Sequence, residues 1–395
     1  MDFDKIIPRK GTDSLKFDGG LRRGKPVDIL PLWVADMDFP APECVLEAVH
    51  ERVSHGIFGY SEPDTSYFDA LAGWFTRRLG YEFSPDWVTL TPGVVYAIAI
   101  AIKAFTMPGE AVLIQEPVYY PFRETVTANG RRLVVNELKL PDGADTYIID
   151  FEDFERKIIE NGVKLFLLCS PHNPVSRVWA ADELREIVRV CQKHNVLIFS
   201  DEIHCDFIFP AHEFHVLPAL CPNAQESIIL CNAPSKTFNL AGLQLANVFI
   251  ADKNLRKTYR REVLKSGFSQ AGSLAIVACR AAYAHGENWL NALNKYLHAN
   301  MLYLDEFLKA NLPYVKLIPP QATYLAWLDC RALSLSPDDL DRKITYDAKL
   351  WLSRGDSFGT GGEGFTRINV GCPRATLAEC LERLRVISLP HGLVK

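Results

Sequence analysis

Short apolar runs alternate with amphipathic stretches through the middle of the chain. Residues 163–169 (VKLFLLC), 196–200 (VLIFS) and 227–232 (SIILCN) are almost continuously apolar. Runs this short and this rich in branched and aromatic side chains predict buried strands. Residues 111–116 and 247–251 fit the same description. Between them, 182–194 (DELREIVRVCQKH) sets Leu184, Ile187, Val188 and Cys191 on one face at helical spacing. Strands without polar alternation, separated by helices, predict a largely parallel α/β sheet covered on both faces. The ends read differently. Residues before about Pro42 are loop-like, rich in Pro, Gly and Asp. After about Gly286 the pattern gives a helix, strands near 315–319 and 323–328, another helix, and a strand near 364–370. That order predicts a smaller α+β unit. The expected division is an amino-terminal arm over 1–45 that forms part of the small domain, a large domain over 46–286, and the rest of the small domain over 287–395.

In open parallel sheets, ligands bind beyond the carboxyl ends of the strands. The residues just past each expected strand are polar and reactive. Tyr119 and Tyr120 follow Glu116; Ser170-Pro171-His172-Asn173-Pro174 follows Cys169; Asp201, Glu202 and His204 follow Ser200; Ser235 and Lys236 follow Asn232. One chemistry uses such a set. A lysine sheltered in a pocket forms a Schiff base with an aldehyde. A carboxylate such as Asp201 keeps a pyridine nitrogen protonated, because an adjacent anion favours the cation. Tyr119 suits stacking on the cofactor ring. Gly93-Val94-Val95 opens a helical stretch whose free amides suit a phosphate, with Ser235 adding a hydroxyl. Each residue alone has a plainer reading. A lysine after a strand is usually solvated, Asp201-Glu202 resembles ordinary helix-capping acids, and Asn173-Pro174 resembles a turn. Their order on successive loops favours the joint reading.

Charge and composition narrow the classes. The net charge is −5 over 395 residues, which argues against a nucleic-acid partner. The longest uncharged apolar stretch, near Val94–Ile102, is too short for a membrane span. The first residues, MDFDKIIPRKG, carry acids and no apolar leader, and the 10 cysteines include no C-x-x-C pair. A cytoplasmic protein with reduced thiols is expected. His204, Cys205, Asp206, His212 and His215 lie close together, but their spacing is not that of common zinc sites, and no metal is expected.

Segments along nearly the whole chain resemble the fold-type I pyridoxal-phosphate enzymes of the aspartate aminotransferase superfamily. Within it they are most similar to carbon–sulfur lyases of the MalY/PatB cystathionine β-lyase and cystalysin type. The similar segments include LPLWVADMDFP (30–40), HGIFGYS (55–61), EPVYYPF (116–122), SPHNPVSRVW (170–179), SDEIHCD (200–206), APSKTFNLAGLQ (233–244) and GGEGFTRINVGCPR (361–374). The resemblance implies a seven-stranded, mostly parallel large domain that binds pyridoxal 5'-phosphate. It implies Lys236 as the Schiff-base lysine, Asp201 at the pyridine nitrogen, Asn173 and His204 near the phenolic oxygen, and Arg367 on the substrate carboxylate. Ala35, in the loop from Trp33 to Asp36, is expected to line the substrate pocket. Tyr119 or Tyr120 is expected to assist proton transfer at the leaving group. Tyr60 is expected to reach the phosphate in a neighbouring subunit, which implies a homodimer. Gln244 stands where aminotransferases carry a phosphate-binding arginine, Ser176 replaces a common glycine, and Tyr96 a common proline. The implied reaction is β-elimination from cystathionine or another cysteine S-conjugate, giving thiol, pyruvate and ammonia. A class I/II aminotransferase and a regulatory protein that retains the cofactor are the alternatives.

Overall fold

Three of the apolar runs lie side by side at the centre of a seven-stranded sheet. The computed structural model describes residues 1–387; positions 388–395, the end of the expected small domain, lie outside the described residues. The large sheet comprises β1 (Val88–Thr91), β2 (Ala111–Glu116), β3 (Arg132–Glu137), β4 (Leu165–Cys169), β5 (Leu197–Asp201), β6 (Ile228–Asn232) and β7 (Ala246–Ile250). Its order is β1-β7-β6-β5-β4-β2-β3, and only β7 runs against its neighbours. The reason β4 reads as one apolar run is visible in its packing. Phe166 and Leu168 enter one core with the helix Ala181–Lys193, while Leu165 and Leu167 enter a second core with the helix Val94–Phe105. Burying each such side chain contributes about 1.5–3 kcal/mol, so neither face tolerates polar residues.

Neither β1 nor β3 is expected from the apolar pattern of the sequence. Both are edge strands, and β3 has polar residues at its ends and mixed burial along its length. The expected run 163–169 starts two residues late because Val163 N–H still bonds the preceding helix at Ile158 O (3.1 Å). The helix expected over 182–194 spans Ala181–Lys193.

A second, antiparallel sheet comprises β8 (Lys316–Leu317), β9 (Leu325–Asp329), β10 (Ser353–Arg354) and β11 (Phe365–Asn369), in the order β10-β11-β9-β8. The long helix Glu287–Asn311 and the helix Arg374–Leu384 pack together beside it. Leu30–Pro31 pairs in parallel with Leu350–Trp351, which brings the amino-terminal segment against the carboxy-terminal third.

Glu116, at the end of β2, ties the two sheets together. Its buried carboxylate accepts from Arg123 (2.8 and 2.6 Å) and from Thr360 N–H (2.8 Å). The neighbouring Gly359 has φ 95°, and a Cβ there would lie 2.3 Å from the Glu116 carboxyl carbon. Only glycine allows this approach.

Candidate active site

The carboxyl ends of β4, β5 and β6 deliver most of the site. Cys169 pairs with Asp201, and Asp201 with Cys231, so these three strands end level. The chain beyond them, with the start of the helix Val94–Phe105, encloses a cavity of about 410 Å³. Its lining includes Val94, Val95, Tyr119, Asn173, Asp201, His204, Ser235, Lys236, Ala35 and Gln244. An adjoining cavity of about 680 Å³ shares Ala35, Lys236, Ala241 and Gln244 with it.

Not every expected site residue lies there. Arg367 is buried beside the cavity and donates to Asn173 Oδ1 (2.8 Å). Tyr120 is 36% exposed, with its ring 5.2 Å from that of Tyr119, and does not line the 410 Å³ cavity. Tyr60 is 98% exposed, beside Ile57 and Phe58, which are exposed too. Within one chain Tyr60 therefore contributes nothing to this cavity.

The electrostatics follow from burial. Asp201 accepts from Ile203 N–H (3.1 Å), yet desolvation pushes its carboxyl up to about 7, against the smaller opposing pulls of that bond and of Lys236. A carboxylate costly to ionise alone is suited to a cation across the cavity. Lys236 donates to Ala35 O (2.7 Å). Desolvation lowers its amine to about 8, with Asp36 and Asp201 raising it and Arg367 lowering it. That value makes it a base near neutral pH. Burial lowers His204 to about 3, so its ring is neutral, and raises the Tyr119 phenol to about 12, so it stays protonated. Among the described residues, His204 Nδ1 has no hydrogen-bond partner, and neither has Arg367 Nε.

The cavity fits pyridoxal phosphate on several independent features. Gly93 (φ 126°) caps a helix with no acidic residue in its first turn. The first bond of that helix is Ala97 N–H to Gly93 O (3.1 Å), which leaves the amides of Val94, Val95 and Tyr96 free for an anion. Arg367 occupies Asn173 Oδ1, leaving the Asn173 amide N–H groups to donate to an oxygen in the cavity. Tyr119 N–H bonds Asn173 O (3.0 Å), which fixes the two residues together.

The three departures from the common pattern are accommodated. Gln244 (φ 51°) and Tyr96 line the cavity, and Tyr96 bonds Ser266. Ser176 takes the left-handed conformation (φ 60°), where its hydroxyl donates to Ala322 O and meets Thr323 Oγ1 at 3.1 Å. Of the residues weighed as metal ligands, His204 faces the cavity, Cys205 Sγ meets Asn232 Nδ2, and Asp206 bonds Thr237 and pairs with Arg78.

Two residues at the site had no signal in the sequence. Tyr324 Oη donates to Ala35 O (3.0 Å), and Ser353 Oγ lies 3.1 Å from Arg367 Nη2. They reach the site from the chain entering β9 and from β10, far from the segments read as chemically active.

Comparisons with known proteins place the chain among relatives of one family. The family model described as aminotransferase class I and II matches residues 27–384. The chain is 43% identical to cystathionine beta-lyase PatB of Bacillus subtilis, over 98% of this chain and 99% of that protein. Cystalysin from Treponema denticola, solved with pyridoxal 5'-phosphate, is similar with a TM-score of 0.94 and 34% identity, over 98% of each chain. The PLP-bound C–S lyase from Staphylococcus hominis is similar with a TM-score of 0.92 and 31% identity, over 99% of this chain and 98% of that one.

Proposed function

The chain belongs to the class I and II aminotransferase family, and from that membership we propose that it is a pyridoxal-phosphate-dependent carbon–sulfur β-lyase. Its substrates are cystathionine or related cysteine S-conjugates. The observation that carries the reading is the meeting of Lys236, Asp201, Asn173 and a free helix start in one cavity. Bound there, pyridoxal phosphate supplies an aldehyde that links to amines and a ring that accepts the electron pair left at the substrate Cα.

The protein's own residues do the rest. Lys236 would hold the aldehyde and, as a free amine, would take the Cα proton on Nζ. Asp201 keeps the ring nitrogen protonated. The Asn173 amide would donate to the cofactor's phenolic oxygen, with neutral His204 also lining the cavity. Free amides at Val94 and Val95, with Ser235, receive the phosphate. Arg367 grips the substrate carboxylate, its charge undiminished by any buried acid among its hydrogen-bond partners. Tyr119, a protonated phenol, serves the departing sulfur, with Tyr120 next to it. The Cβ–S bond breaks, the sulfur leaves as thiol, and water completes the conversion of the remaining carbon skeleton to pyruvate and ammonia.

The working unit is a homodimer. Tyr60, Ile57 and Phe58 stand exposed on one loop, and that exposure supports a partner subunit whose site receives Tyr60. The domains divide at about residues 45 and 286. A cytoplasmic location is supported by the ten unpaired cysteines.

The test is incubation of the purified protein with L-cystathionine and S-ethylcysteine without any keto acid. Pyruvate and thiol forming over many turnovers is the expected result. Turnover that requires a keto acid overturns the lyase assignment in favour of transamination.

A further inference from the structure

Four consecutive backbone carbonyls, from Trp33 to Asp36, have alternating partners. Trp33 O accepts from Arg367 Nη2 (2.8 Å), and Ala35 O accepts from Lys236 Nζ (2.7 Å). Val34 O and Asp36 O both accept from one group, the amide nitrogen of Asn369, each at 2.6 Å. Asn369 ends β11, two residues after Arg367, so both side chains leave the strand on one face and meet the same loop. Its side chain is 1% exposed and fully used, because its Oδ1 accepts from Gly371 N–H (2.7 Å).

We infer that Asn369 is a positioning residue: by pinning the carbonyls of residues 34 and 36, it turns those of 33 and 35 toward the carboxylate-binding arginine and the catalytic lysine. One amide thus sets two functional cations that lie 131 positions apart in the chain. The inference rests on the roles assigned above to Lys236 and Arg367. No other side chain among the described residues bonds the carbonyl of Val34 or of Asp36. Without Asn369 this stretch keeps its anchors at Leu32 and Met37, the Asp36–Arg9 ion pair, and the bonds from Ser353 Oγ to Trp33 O (3.1 Å) and from Tyr324 Oη to Ala35 O (3.0 Å), but the carbonyls of Val34 and Asp36 lose the amide that fixes the peptide planes between them.

The experiment uses holoenzyme carrying Asn369→Ala, with Asn369→Ser as the milder variant. Asn300→Ala is the control. Asn300 is equally buried and holds the segment just after Asn369, its Nδ2 bonding Val370 O (2.9 Å) and Cys372 O (2.8 Å) and its Oδ1 accepting from Arg374, but it bonds none of the carbonyls of residues 33–36. Two readouts separate positioning from stability. The first is the pH at which kcat for S-ethylcysteine rises, which reports the Lys236 amine. Losing the aimed carbonyl removes a hydrogen bond that favours the ammonium, so the rise moves to lower pH by about one unit. The second is the calorimetric affinity for 3-(methylthio)propanoate, a carboxylate without an amine, which reports Arg367. It is expected to weaken about tenfold or more.

Asn369→Ser shifts both in the same direction and less far. Asn300→Ala lowers the melting temperature comparably and moves neither. If Asn369→Ala and Asn369→Ser lose stability as the control does, yet keep the pH profile and carboxylate affinity, the positioning role is wrong. A wild-type holoenzyme that turns over no S-conjugate overturns the functional reading instead. The carboxylate affinity still decides whether Asn369 sets Arg367.

Discussion

Replacing Asp201 with Asn has two consequences of opposite sign. Burial raises this carboxyl from 3.8 to about 7. About three pH units at ~1.4 kcal/mol each is about 4 kcal/mol, an upper figure for the cost of ionising Asp201 alone. In the cofactor-free protein that cost falls on the native state. Between pH 3.8 and about 7 the folded protein binds more protons than the unfolded chain, so stability falls as pH rises and stays reduced above 7. The amide introduced by Asp201→Asn keeps an acceptor for Ile203 N–H and carries no charge. The substitution should therefore stabilise the cofactor-free protein at pH 8, by about 1–3 kcal/mol after denatured-state and relaxation effects, and leave it unchanged near pH 3. In the holoenzyme the sign reverses. On the role proposed for Asp201, the carboxylate holds a proton on the ring nitrogen there, a pairing that must offset the ionisation cost of about 4 kcal/mol; losing stabilisation of that size lowers kcat by roughly 10³-fold. Denaturant melts of the cofactor-stripped variant at pH 3 and 8 measure the first effect, and steady-state turnover measures the second. A variant that is destabilised at pH 8 without cofactor, or that keeps kcat within tenfold, refutes the reasoning.

Arg367→Lys keeps the charge but loses the planar fork, so KM for S-ethylcysteine should rise roughly 10- to 100-fold with a smaller change in kcat; an unchanged KM places the carboxylate elsewhere. Because Lys236 acts as a neutral amine and burial sets it near 8, kcat should fall about tenfold per pH unit below pH 8 and level off above it. A kcat profile flat from pH 6 to 9 assigns the base to another group.

The chemistry of the site was legible where it follows directly from strand ends. Asn173, Asp201 and Lys236 each lie within four residues of an apolar run that had to be a central strand, because Phe166, Leu168, Leu165 and Leu167 serve two cores at once. A central strand leaves its signature in sequence; the edge strands β1 and β3, with one flank free, do not. Tyr324, Ser353 and Asn369 were silent for a different reason. They act through backbone carbonyls of residues 33 to 36 or through Arg367, and a contact between a side chain and a distant carbonyl leaves no mark on the residue that supplies the carbonyl. Tyr60 follows from resemblance alone, and a single chain leaves it in solvent.

The most direct measurement is of the bond at Lys236. Holoenzyme is reduced with borohydride, digested, and its peptides are weighed. The account predicts one pyridoxyl-phosphate adduct per chain, on the peptide containing Ser235-Lys236-Thr237, and none in Lys236→Ala. An adduct on a different lysine, or no adduct after reduction of fully loaded protein, would contradict it.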